Sequence, residues 1–184
     1  LGKAIGEKIQ ATKAVPYILG IDSASLEQLK SFCASLATYG GAALFHIPGI
    51  TPEAGTCKAP AESLTIPQAD LDIATRSLSD ASEDEVDFIS LGCPHLTLAE
   101  VARIAALLEG KRVTREFWIT TARPVKQMAD QLGYSRIITA AGAKIAADTC
   151  CVVAPIQGRF TALAADSAKA CYYAAGKNNF KTLF

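Results

Sequence analysis

The chain has 184 residues, half of them apolar, and its 18 basic residues match its 18 acidic ones. That length suffices for one sizeable core or two small ones, and the apolar content excludes a disordered chain. Neutrality without a Lys/Arg run excludes a phosphate-tracking surface and hence a nucleic-acid partner, and no stretch nears the roughly 20 apolar residues of a membrane span.

The opening "LGKAIGEKIQ" lacks the apolar block of a secretory signal, which points to the cytoplasm. Leu1 and Phe184 read as cuts through a longer protein. "AVPYILG" (14–20) has the content of a short strand, pushed to an edge by Pro16. Ser25 and Gln28 form a capping box for a helix that carries Leu26, Leu29, Phe32, Cys33 and Leu36 at helical spacing and ends at Gly40–Gly41. "AALFHI" (42–47) is strand-like, and 48–66 is a loop that marks a possible subdivision of an otherwise single α/β region, 1–184. Pro67 opens a helix over 67–79 with Asp70 at its positive end. "VDFISL" is a buried strand. Thr97, Glu100 and Gly110 bound the helix "TLAEVARIAALLEGK". "EFWITT" (116–121) is a strand, "RPVKQMADQLG" a helix, "RIITA" (136–140) and "CVVAP" (151–155) short strands, and "DSAKACYYAAG" a final helix. Strands and helices alternate, and several strands are apolar on both faces. The fold class is therefore α/β: a mostly parallel sheet with helices on both faces.

Six cysteines occur, at 33, 57, 93, 150, 151 and 171. A chain this apolar needs no disulfide staples, so Cys33 and Cys171 read as packing residues inside helices. "SLGCPHLT" stands where ligands collect, beyond a strand's carboxyl end and before a helix. Gly92 permits a close approach, and the helix start favours a thiolate at Cys93. His95 is placed to move a proton or orient a substrate. In "ADTCC", Asp148 could orient a base, Thr149 offers a hydroxyl, and a strand would point Cys150 and Cys151 to opposite faces, so only Cys150 is taken as a ligand. His46 ends a strand-like run, and Glu53 stands in the loop after it as a base or a partner for a substrate hydroxyl. Arg123 follows a strand end and suits a carboxylate. Asp166, Ser167 and Lys169 could hold polar substrate groups, although capping alone would explain Asp166 or Ser167. A zinc site of Cys93, His95, Cys150 and His46, and a noncatalytic binding or scaffold domain, are the competing readings.

"FHIPGITPEA", "FISLGCPHLTLAEV", "WITT", "ADTCCVVAPI" and "DSAKACYYA", in this order, resemble the catalytic domain of the aconitase X family from about residue 13 to residue 180. The resemblance implies aconitase-like three-layer βα units and a hydro-lyase with an iron–sulfur cluster. It makes Cys93 and Cys150 two of the cluster's ligands, with the cluster type left open among 2Fe-2S, 3Fe-4S and 4Fe-4S forms. A third ligand would come from a more N-terminal part of the large subunit, and the complete enzyme would need a small swivelling domain or subunit. An iron with an open position would draw electrons from a leaving hydroxyl while a base takes the proton alpha to a carboxylate. Lys169, by its place in "DSAK", becomes a candidate for a carboxylate or phosphate. Known family activities are dehydration of cis-3-hydroxy-L-proline and of 5-phosphomevalonate. The hydroxyproline substrate is preferred, because no phosphate cradle is legible in this part of the chain.

Overall fold

The computed structural model describes residues 1–12 and 14–184. Its backbone divides into two compact units, Leu1–Ser77 and Leu78–Phe184. The division lies downstream of the 48–66 loop, because that loop packs back on the first unit: Ile47 joins the core, and Ile50 and Ile66 lie against it.

The first unit holds α1 (Gly2–Ile9), α2 (Leu26–Gly40), a 3-10 turn at Pro52–Gly55 and α3 (Gln68–Arg76). Ile5, Ile9, Ile18, Leu36 and Ile47 form its core. α1, which the sequence reading passed over, lies tightly on α2: a Cβ on Gly6 would sit 2.8 Å from the Gly40 nitrogen. The expected capping box of α2 is present, with Ser25 accepting from the Gln28 N–H and Gln28 from the Ser25 N–H. Two expectations fail in this unit. "AVPYILG" and "AALFHI" form no ladder and meet at one parallel bridge, Tyr17 to His46. Pro16 has no N–H, so the pairing reduces to His46 N–H to the Pro16 carbonyl and Ile18 N–H to the His46 carbonyl. Cys33, expected to be buried, is exposed, because the buried face of α2 runs through Ser35, Leu36 and Tyr39 instead.

The second unit is built on β1 (Phe88–Leu96), β2 (Glu116–Thr121), β3 (Lys144–Ala147), β4 (Ala162–Ala164) and β5 (Lys181–Leu183), with α4 (Leu98–Leu108), α5 (Arg123–Gln131), α6 (Tyr134–Ala140) and α7 (Ala168–Asn178) between them. The strand order is β3-β2-β1-β4-β5, and each neighbouring pair is parallel. Side chains alternate across the sheet. Ile89, Leu91, Phe117 and Ile119 face a core completed by Val101 and Ala105 of α4, Ala129 of α5 and Ile138 of α6. On the other face Phe88 stacks on Phe160 at 4.4 Å and meets Trp118 edge-on at 5.0 Å. Right-handed crossovers that leave β1 and β4 in opposite directions put α4–α6 and α7 on opposite faces, as expected for an α/β protein.

"RIITA" is not a strand but part of α6. Its β-branched residues favour a strand only in isolation. Gly133, in the left-handed region, starts a new helix here, and Tyr134, Ile137 and Ile138 recur at helical spacing against the α4 core. "CVVAP" is a series of turns; the strands on either side of it are "KIAA" and "ALA", both missed. α7 runs through Gly176 and stops at Asn179, a left-handed cap. Cys171 is buried in it, as expected.

Candidate functional site

The site lies where β1 and β4 send their chains in opposite directions, the crevice that open parallel sheets offer to ligands. β1 pairs with β2 in register up to Leu91 opposite Ile119, and resumes at Leu96 opposite Thr121. Five steps of β1 thus match two of β2, and "GCPH" bulges from the ladder. Gly92 makes the bulge possible: its φ is +112°, and a Cβ there would lie 2.1 Å from the Thr120 carbonyl oxygen. The Cys93–Pro94 bond is cis.

A bulge strips carbonyls of their ladder partners, and buried carbonyls must be satisfied. Three buried hydroxyls do this. Thr120 Oγ1 donates to the Gly92 carbonyl at 3.0 Å and Thr121 Oγ1 to the Leu96 carbonyl at 2.6 Å. Ser167, from the β4 side, donates to the Cys93 carbonyl, and its oxygen accepts the Ala170 N–H at 3.2 Å as the N-cap of α7. Neither Thr120 nor Thr121 was singled out from the sequence; two adjacent hydroxyls at the end of the apolar run "FWI" were the available signal.

The turn 148–154 brings the second sulfur. Asp148 takes a positive φ of 56°, and its N–H donates to the Thr121 carbonyl at 2.9 Å. Its carboxylate accepts from the Arg123 N–H at 2.9 Å and from Arg123 Nε at 2.8 Å. Arg123 is thus engaged with a carboxylate of this chain. His95 Nε2 meets the Thr149 carbonyl at 2.9 Å. A carbonyl only accepts, so Nε2 carries the proton, and that nitrogen is withdrawn from a zinc donor set.

Cys93 and Cys150 lie near enough for each thiol to shift the ionisation of the other. The interaction with Cys150, then burial and the neighbouring Cys150 and Cys151 sulfurs, push the Cys93 thiol far up, against the pull of the Lys169 ammonium. The same interaction, helped by the Val153 and Val152 N–H groups and by His95, draws Cys150 well below the usual thiol value despite burial. Of the two thiols, Cys150 is thus the one that ionises the more readily, and Cys93 the one held protonated. Cys151 lies buried against the Ser90 hydroxyl, and burial raises it. The strand expected to turn Cys150 and Cys151 to opposite faces is absent: both lie on a turn, Cys151 the more buried of the two.

Cys93, Cys150, His95, Thr149, Ser167 and Lys169 thus share one neighbourhood in the second unit, with Arg123 tied to it through Asp148. His46 and Glu53 belong to the first unit. His46 is buried, with Nε2 3.4 Å from the Cys57 sulfur; Glu53 is exposed on the 3-10 turn. Two neighbouring thiols, one of which ionises readily, are a donor set suited to an iron–sulfur cluster. Among the described residues, no group of three or more His, Cys, Asp or Glu converges as a metal site, and no helix is long and apolar enough to cross a membrane.

Residues 86–184 match the family model described as the aconitase X third domain, and residues 1–83 the one described as the aconitase X second domain. The phosphomevalonate dehydratase large subunit of Methanothermobacter thermautotrophicus is 36% identical over 95% of this chain and 43% of its own length. The cis-3-hydroxy-L-proline dehydratase of Hypocrea jecorina is 33% identical over 90% of this chain and 30% of its own length. The crystal structure of the holo-form of Thermococcus kodakaraensis aconitase X has a TM-score of 0.87 at 34% identity, over 98% of this chain and 46% of that one. The chain therefore spans less than half the length of these relatives. On both family models and on the superposed fold, the chain belongs to the aconitase X family, a family of dehydratases.

Proposed function

We propose that this chain forms part of an iron–sulfur-dependent hydro-lyase that eliminates water from a small hydroxy-carboxylate. The approach of Cys150, on the turn 148–154, to Cys93, in the bulge of β1, carries this reading, since each thiol shifts the ionisation of the other. In it the two sulfurs hold the cluster, and a third ligand is supplied by a more N-terminal part of the large subunit. When bound, the cluster supplies a Lewis-acidic iron. The chain's own residues do the rest. Half-buried Lys169, close enough to Cys93 to favour its ionisation, neutralises an anionic group of the substrate. The Val152 and Val153 N–H groups and His95 keep Cys150 ionised as a ligand. Ser167, its one proton given to the Cys93 carbonyl, holds the bulge in place. Thr149 offers a hydroxyl to the substrate, and Arg123, held by Asp148 through its Nε, offers its terminal N–H groups to a carboxylate. His46 and Glu53 are further candidates for proton transfer, carried on the first unit.

Of the substrates in the relatives' names, we take 5-phosphomevalonate. The large-subunit relative of that name matches 95% of this chain and is the more identical, against 90% for the hydroxyproline enzyme. Lys169 is the cation that suits either a carboxylate or a phosphate. The complete enzyme then joins this chain to the remainder of the large subunit and to a small swivelling subunit, and works in the cytoplasm.

The test is Cys93→Ser in the complete enzyme, purified without oxygen. Cluster absorbance and dehydration of 5-phosphomevalonate should be lost together. Retention of both overturns the ligand assignment, and turnover of cis-3-hydroxy-L-proline alone overturns the substrate.

A further inference from the structure

We propose that His95 is a positioning residue for Cys150: its Nε2–H, bonded to the Thr149 carbonyl, clamps the turn that presents one sulfur to the bulge that presents the other. The inference deepens the reading above, since it concerns the same two sulfurs.

The clamp is short. His95 is two residues from Cys93 and Thr149 is next to Cys150, so one 2.9 Å hydrogen bond fixes the spacing of the two thiol-bearing segments. Without it that spacing would be set through the body of the sheet. Cys151, buried next to Cys150, anchors the turn by packing, and the remaining polar attachments are weaker or lie to one side. The Asp148–Arg123 pair is exposed at both ends, with 44% and 72% of the side-chain surface accessible, and such pairs contribute little. The Asp148 N–H bond to Thr121 lies two residues upstream of Cys150. Downstream, Lys177 reaches the Val152 carbonyl at 2.6 Å with an exposed side chain, and the Val153 and Ala154 N–H groups turn back to the Cys150 carbonyl, which shapes the turn without attaching it to the sheet. His95 is half-buried, so its bond is less exposed to competition from water.

The probe is phenylarsine oxide, added to the complete protein after its metal has been stripped. The arsenical forms two As–S bonds with a thiol pair, and its oxygen leaves with the two thiol protons as water. Cys93→Ser and Cys150→Ser define the background. Loss of one ordinary hydrogen bond predicts about 5-fold weaker arsenical binding in His95→Ala. His95→Gln, which retains an N–H donor on a chain of similar reach, should bind within about 2-fold of wild type by the same argument. An Ala variant as tight as wild type, or a Gln variant as weak as the Ala variant, overturns the proposal. The readout needs neither iron nor turnover. A wild-type protein that shows this pattern yet takes up no iron would refute the hydro-lyase reading and leave the clamp standing.

Discussion

Gly92 is the residue on which the bulge turns. Gly92→Ala would put a methyl 2.1 Å from the Thr120 carbonyl at a φ few L-residues adopt, a strain we expect to cost at least about 3 kcal/mol, read as a lowered denaturant midpoint. Thr120→Val keeps the shape and deletes the donor, leaving the Gly92 carbonyl unpartnered in a buried site. It should cost about 1–3 kcal/mol, with Thr120→Ser recovering most of it in the same urea titration. The sequence made the sulfurs legible, because Cys93 in "GCPH" and Cys150 in "ADTCC" stand beside residues with recognisable roles, although Cys93 lies within β1 rather than beyond its end. The hydroxyls were not legible. Their partners are carbonyls exposed by a bulge, and backbone acceptors leave no mark in a sequence.

Elements were readable where caps bounded them. Thr97 and Glu100 form the expected capping box of α4, and α4, β2 and α5 stand where the pattern put them, whereas β1 runs on past "VDFISL" to Leu96 and takes Cys93 and His95 into the strand. Strands of three or four residues, such as "ALA" and "KTL", carry too few positions for a period of two to register. "RIITA" misled for the opposite reason: its strand propensity was overridden by packing on α4. Ile138 is fully buried in that helix, so Ile138→Ala should cost about 2–5 kcal/mol in equilibrium unfolding. The junction of β1 and β4 depends on Asp87, whose carboxylate accepts from the Thr161 and Ala162 N–H groups. Burial pushes its pKa up, but these bonds together outweigh that and hold it below the usual carboxylate value. A lowered native pKa stabilises above the unfolded value of about 4 and ceases to do so as pH falls through the native one. Asp87→Asn should therefore be less stable than wild type at neutral pH, and the gap should close in acid, as thermal unfolding across pH would record.

At the scale of the molecule, the second unit is stitched from end to end: the Asp80 and Ala81 N–H groups donate to the Thr182 carbonyl, and Thr182 Oγ1 donates to the Leu78 carbonyl at 2.8 Å. This explains why the boundary falls before Leu78, a feature that composition could not display. With its own two-sided core, 78–184 should fold alone in a single cooperative transition seen by circular dichroism; a broad, uncooperative melt would contradict that autonomy. The hydroxyl braces of the bulge have a consequence for judging other chains of this kind. If the two thiols hold a cluster as proposed, a homologue could retain both and still be unable to seat it were valine or alanine to replace the threonine opposite its glycine. Counting cysteines would misclassify such a protein as competent, whereas inspecting the neighbouring strand's last two side chains would expose the defect.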